Sequence, residues 1–446
     1  MTIKGKYKVI FIGPFYTGFF IDSSNLINLG YTKIQNSIIK HFQQANEKEW
    51  FIENDDKGEV LWDVEFSSVY GGTTMVPPSL IGKNFTNIER SIEFEGINFD
   101  IQRILLFFHD YGAGTFRAKV DVNLNREFEV KEYRELVERF TSELCDILNP
   151  IIENDTNDLR KVLEEEMIPL DSYEEISQEL KIKSLDYLPI RSCLWYHRIF
   201  FFELDTNNPI SQEDYNRYKD VLFSSQMEGP RNCSLNEYAQ VYPSFNFSLY
   251  IYNRNNRPKD IRLERVIEIA EYYYAATSLL DTILFNEFAK FKTKRKSEPR
   301  IKELEAELAS LKKLSDQLEL FLLTLKDSII NLSPSSVIMW RNIDNEWYYT
   351  PMLETLREKN ALLTSEVNEK LEELTQKRSE VLNRFVKIFT IIAIIGPILE
   401  IYSIAQDINL FEIILSNMPL FLAITIPILV GILISAVYYI RKFTKY

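Results

Sequence analysis

Apolar and polar residues alternate with a period of two in several early segments, and that period marks strands with one face buried. Tyr7–Ile12 (YKVIFI), Val60–Tyr70, Ile101–His109 (IQRILLFFH) and Thr115–Val122 (TFRAKVDV) read as strands, by that alternation or by β-rich content. Asp110–Gly114 (DYGAG) joins the last two and reads as a hairpin turn, since glycine tolerates positive φ. Leu194–Leu204 and Phe245–Tyr252 add two strands, and helical patterns lie at about Leu26–Gln44 and Glu129–Ile147. The pattern predicts an α/β or α+β domain over residues 1–260, with strand order left open.

Near residue 260 the period lengthens to that of a helix. Over residues 261–351 the pattern predicts a helical hairpin region. Ile261–Lys290 is one helix, a basic linker follows at Lys292–Arg300, and Ile301–Asn331 is a second helix. Its stripe holds Ile301, Leu304, Leu308, Leu311, Leu318, Leu322, Leu325 and Ile329. Ser333-Pro334 and the polar–aromatic stretch to Pro351 read as the turn. A stalk helix covers residues 352–387. Its stripe is Leu356, Asn360, Leu363, Val367, Leu371, Leu374, Arg378, Val381 and Phe385, with Asn360 and Arg378 as polar interruptions. On periodicity alone it fits equally a partner copy or its own chain.

Phe385–Ile404 (FVKIFTIIAIIGPILEIYSI, residues 385–404) is long enough to cross ~30 Å of hydrocarbon at ~1.5 Å per residue. Leu420–Ile440 (residues 420–440) is a second such run without a charge. Arg384 and Lys387 precede the first; the loop 405–419 holds only Asp407 and Glu412; the tail 441–446 carries Arg441, Lys442 and Lys445. The positive-inside bias predicts both ends in the cytoplasm of a cell whose inner membrane holds a multi-pass protein. Two helices cannot enclose an aqueous path, so conduction would require several copies.

Composition adds limits. The 446 residues are 46% apolar and carry a net charge of −14, which excludes general nucleic-acid binding through a basic surface. Before Arg384 there are 46 basic and 62 acidic residues, a net of −16. The cysteines (Cys145, Cys193, Cys233) are odd in number and widely spaced, as in a reducing compartment with no disulfide framework. The apolar run after MTIKGKYK is too short for a signal peptide.

From Met352 on, the chain resembles the CorA-like family of divalent-cation transporters. The resemblance rests on the helix Met352–Lys387, the run Val386–Pro397 (VKIFTIIAIIGP), the short loop and the basic tail RKFTKY. It covers about 95 residues. The family's Gly-Met-Asn motif, which holds a hydrated ion at the pore mouth, is absent: aligning on Tyr402 puts Ser403-Ile404-Ala405 there, and aligning on Pro397 puts Gln406-Asp407-Ile408 near it. A divergent branch of the family consists of type III CRISPR defence effectors whose cytoplasmic domain senses an S-adenosylmethionine–AMP conjugate (SAM-AMP). The resemblance implies a homo-oligomer in the lipid bilayer, pentameric on the family pattern, gated through its cytoplasmic domain by that messenger. The alternatives are a divergent Mg2+/Co2+ transporter, with Mg2+ as its ion, and a membrane-anchored adaptor without a pore.

No enzymatic constellation emerges. His41, His109 and His197 lack metal-ligand spacing, and no helix pattern opens after Gly112-Ala113-Gly114 as a phosphate loop requires. For an anionic messenger, basic residues beside aromatics are the natural sites. Arg117 and Lys119 share one strand face by the period of two. Arg191, His197 and Arg198 flank Trp195 and Tyr196. Glu400 is an ionisable residue inside an apolar span, and such residues mark functional positions. Ala393, Gly396, Glu400, Ser403 and Asp407 share one helical seam; small residues admit a neighbouring helix and the two carboxylates would attract cations at a pore mouth.

Overall fold

The computed structural model describes residues 2–21, 31–52, 80–85, 90–166, 168, 170–172, 193–222, 230–233, 237–254, 262–293, 301–330 and 334–407. The expected strand Val60–Tyr70 and the second apolar run Leu420–Ile440 lie outside them. The chain divides into two compact units: Met1–Phe291 with Asp316–Asn360, and Lys292–Ser315 with Ala361–Tyr446.

The first unit is built on a nine-stranded sheet. Its strands are β1 (Thr2–Tyr16), β3 (Trp50–Phe51), β4 (Ile81–Phe85), β5 (Arg90–Phe94), β6 (Ile97–Phe108), β7 (Ala113–Glu129), β9 (His197–Leu204), β10 (Ala239–Pro243) and β11 (Phe247–Asn253). The order is β10-β11-β9-β1-β7-β6-β4-β3, with β5 paired to β6. Every pairing is antiparallel except β11 with β9. Two short strands, β2 (Phe19–Ile21) and β8 (Leu170–Ser172), pair separately. The strands expected at Tyr7–Ile12 and Thr115–Val122 therefore lie inside the longer β1 and β7, and the one expected at Ile101–His109 is the later part of β6, which ends one residue sooner, at Phe108. Gly112, at φ 72°, makes the turn between β6 and β7, a conformation that costs other residues about 1–2 kcal/mol.

One face of the sheet packs on helix α2 (Val130–Glu165); helix α1 (Tyr31–Gln44) adds Ile34, Ile38 and Phe42 to the same core. Phe11, Phe99, Phe116, Phe200 and Phe247 alternate inward and meet Tyr133, Phe140, Leu144 and Leu148 of α2 in that core. Phe99 and Phe140 stack with centroids 3.9 Å apart and planes 11° from parallel. The α2 pattern had predicted an end near Ile147, just before Pro150, yet the helix continues to Glu165 with Pro150 inside it. A proline there costs about 3 kcal/mol. Burial of Ile152, Leu159, Val162 and Leu163 beyond it offsets that cost, at about 1.5–3 kcal/mol each.

Helix α3 (Gln212–Tyr218) starts with a Ser211–Asp214 capping box. Helix α4 (Arg262–Thr293) is buried nearly all round from Leu263 to Leu284, which explains why it lacks the amphipathic stripe of a surface helix. Around it lie Phe321 of α5 (Ile301–Ile330) and Trp340 of α6 (Pro334–Trp347), 5.8 and 6.4 Å from Tyr273. Tyr349, the first residue of α7 (Tyr349–Asp407), meets Thr277 at 3.0 Å. The segment from Ser333 to Pro351, expected as a turn, thus contains a full helix. Buried Met339, Trp340, Ile343 and Trp347 anchor it, and an aromatic-rich sequence hides its helical period.

In the second unit, the opening half of α5 and α7 beyond Asn360 bury Leu308, Leu311, Leu363, Val367 and Leu374. Ser315 meets Thr364 at 3.2 Å, and Arg378 pairs with Glu305. The predicted stripe is therefore used within the chain at Leu363, Val367 and Leu374, while Leu371 and Phe385 remain exposed.

Candidate functional site

Two places gather the residues that the sequence singles out. The first is the sheet face opposite α2. The period of two turns Thr115, Arg117 and Lys119 of β7, Lys8 of β1 and Phe107 of β6 toward α4. Helix α4 answers with Glu264, Glu268 and Glu271, spaced to share one stripe. Arg117 Nη1 lies 3.2 Å from Glu264 and 3.9 Å from Glu268. Lys119 and Lys8 reach Glu264 at 3.9 and 4.0 Å. Arg265 Nη1 is 3.0 Å from Glu268, and Thr115 donates to Glu268 at 3.5 Å. The Arg117 and Arg265 guanidinium groups stand 5.7 and 5.0 Å from the Phe107 ring centre. Arg117 is 2% exposed and Glu268 1%, so these charges are taken out of water together.

Trp195 extends the layer, its indole N–H donating to Glu271. Burial pushes the Glu271 carboxyl up to about 8, against the smaller opposing pull of that hydrogen bond. It is thus mostly neutral at pH 7. The layer then has basic groups Lys8, Arg117, Lys119 and Arg265 facing the remaining carboxyl groups of Glu264 and Glu268.

The neighbouring predicted residues separate. His197 and Arg198 open β9 and face opposite sides. His197 is fully buried, shares a hydrogen bond with Ser248 at 2.8 Å and lies 5.7 Å from the Trp347 ring. Burial, then the Arg198 charge, pulls its imidazole down to about 3, so it is neutral. Arg198 turns toward α2, where Nε and Nη2 donate to Thr141 Oγ1 at 3.2 and 2.9 Å. Its Nη1 donates to the Tyr196 carbonyl at 3.2 Å. Arg191 lies outside the described residues. Of the six ligand candidates, Arg117, Lys119 and Trp195 thus belong to the α4 layer. Glu264, Glu268 and Glu271 were missed, although three carboxylates on one stripe of a helix rich in apolar residues are a sequence signal for buried cations.

The second place is the end of α7. This helix is long and apolar enough to cross a membrane: its most apolar 18-residue window has mean hydropathy 1.8 and none of it is buried. Phe389, Ile392, Ile394, Ile398 and Leu399 are more than half exposed, an apolar surface that water would not tolerate in isolation. Ala393, Gly396, Glu400 and Ser403 are likewise exposed along one seam, and a Cβ added at Gly396 would meet nothing within 4 Å. The helix runs past Ile404 to Asp407, so Glu400 and Asp407 fall two turns apart on one continuous helix.

Compared with protein-family models, with curated proteins and with solved structures, the chain matches none.

Proposed function

We propose that the chain is a CorA-like membrane channel, assembled from several copies and opened by an anionic ligand acting on the α/β unit. The observation that carries this reading is α7: one helix, Tyr349–Asp407, that begins among the packed helices beside the sheet and ends in a fully unburied apolar stretch. Both chain ends lie in the cytoplasm of this reading, with Phe385–Ile404 and Leu420–Ile440 as spans. The assembly is a pentamer by the family pattern, and the seam Ala393, Gly396, Glu400, Ser403 and Asp407 faces the pore.

The ligand class follows from the α4 layer. Arg117 and Lys119 share the carboxylate of Glu264, and Glu271 adds little negative charge at neutral pH because burial holds it protonated. An anion entering there would take over the cations and release the α4 carboxylates, a change large enough to bias a two-state element. SAM-AMP is the ligand that the resemblance implies, which makes the protein a type III CRISPR defence effector.

The test uses full-length protein in liposomes loaded with potassium chloride. Ion efflux on adding SAM-AMP, and none with Mg2+ alone, is the expected result. Flux driven by Mg2+ alone would make the chain a divalent-cation transporter instead. Absence of flux with either ligand, in vesicles shown to contain the protein, would leave a membrane-anchored adaptor and overturn the channel.

A further inference from the structure

The cysteines that look unrelated in sequence meet in the fold. Cys145 sits on α2, and Asn149 lies one turn further along the same face. The Asn149 side-chain carbonyl accepts the Cys193 backbone N–H at 3.3 Å. Cys193 forms a single bridge to Phe15 of β1, so it is held between the sheet and α2. Tyr196, three residues on, hydrogen-bonds its hydroxyl to the Cys145 sulfur. The Tyr196 ring is fixed edge-on against Phe116 at 5.6 Å. The Arg198 guanidinium lies 5.8 Å from that ring and is charge-coupled to Cys145. Both cysteines are only half-buried, whereas Cys233 is 1% exposed.

We propose that Cys145, Cys193 and Tyr196 form a reactive thiol site that takes low-molecular-weight disulfides, with Cys145 as nucleophile and Cys193 as the resolving thiol. The groups around the two thiols support the division of roles. The Cys193 S–H and then the Tyr196 hydroxyl stabilise a Cys145 thiolate, pulling that thiol down to about 6 against burial and the Asp146 charge. Cys193 keeps its proton, pushed well up by the same contact and by burial. This is the arrangement that low-pKa reactive cysteines need: hydrogen-bond donors, nearby positive charge and partial access.

The chemistry balances with glutathione disulfide as the oxidant. The Cys145 thiolate attacks one sulfur of glutathione disulfide, forming a mixed disulfide and expelling one glutathione thiolate, which takes a proton from water. Cys193 then loses its proton to solvent and attacks the Cys145 sulfur. The second glutathione leaves, and a Cys145–Cys193 disulfide remains. Two protein thiols are oxidised and one glutathione disulfide is reduced to two thiols. The product ties α2 to the segment entering β9.

The experiment takes the reduced full-length protein in detergent, treats it with glutathione disulfide without denaturant, and maps the products by peptide mass. Wild type should yield the Cys145–Cys193 disulfide. Cys193→Ser should stop at one glutathione on Cys145, and Cys145→Ser should give neither product. Cys233→Ser should behave as wild type, because burial pushes that thiol up to about 12. Alkylation of Cys145 by iodoacetamide should be nearly flat from pH 7 to 9, where an ordinary thiol of pKa ~8.5 speeds up about twenty-five-fold. Tyr196→Phe should restore part of that rise, which a merely structural tyrosine would not do. The proposal is overturned if Cys145 in folded wild type alkylates with the rise of an ordinary thiol. It is equally overturned if Cys193→Ser accumulates no adduct.

Discussion

Replacing Glu271 by Gln tests the buried layer between the sheet and α4. Gln keeps the size of Glu and an oxygen to accept the Trp195 indole N–H, but it cannot ionise. In the unfolded chain a glutamate releases its proton near pH 4.5, whereas burial delays release in the folded protein until about pH 8. Between those values only the folded state holds the proton, so wild-type stability falls as pH rises through the window. One proton of difference is worth about 1.4 kcal/mol per pH unit. The advantage of Glu271→Gln over wild type should therefore grow by roughly 2–3 kcal/mol between pH 6 and 8, then level off. Comparing the two proteins matters, because Cys145 has the opposite sign. Its thiol is lowered to about 6 from 9, so it adds stability as pH rises over nearly the same range and would hide the Glu271 slope in wild type alone. Urea unfolding of both full-length proteins in detergent, followed by tryptophan fluorescence, measures the difference. A constant gap between pH 6 and 8 would show that Glu271 ionises normally, and the account of a carboxyl held neutral by burial would fail.

Three further outcomes follow from the same structure. Arg117→Ala removes the buried cation that Glu264 and Glu268 share, leaving Lys8 and Lys119 to the first and Arg265 to the second, and should cost about 3 kcal/mol in urea unfolding, the low end for breaking a buried pair; a loss under 1 kcal/mol would place the pair in water. Phe140→Ala removes the ring stacked on Phe99 at 3.9 Å and should also cost about 3–5 kcal/mol, with a matching fall in melting temperature. If the chain forms the proposed channel, Glu400→Gln with Asp407→Asn should lower its preference for cations over chloride in bilayer recordings while assembly by light scattering is unchanged; unaltered reversal potentials would overturn the proposal that this seam faces a pore.

Local pattern alone carried much of the architecture. The β-rich run YKVIFI and the alternation in TFRAKVDV marked stretches inside β1 and β7, because successive side chains of a strand point to opposite faces and both faces here are covered. The stripe from Leu308 to Leu325 marked α5, and the length and apolarity of Phe385–Ile404 marked an apolar stretch with no buried residue among those described. These properties depend on residues a few positions apart, so they are written in the order of the sequence. What covers each face is decided by segments far away. The shared face of Arg117 and Lys119 could equally have met solvent or a ligand, until α4, some 150 residues later, supplied Glu264 and Glu268. The continuation of α2 through Pro150 depended on the core that waited for Ile152 and Leu159. Cys145 and Cys193 read as unrelated thiols until the β1–β9 pairing and Asn149 brought them together. Periodicity says which side chains stand together on one element; burial, charge pairing and reactivity depend on the element packed against them, and only the tertiary structure chooses it.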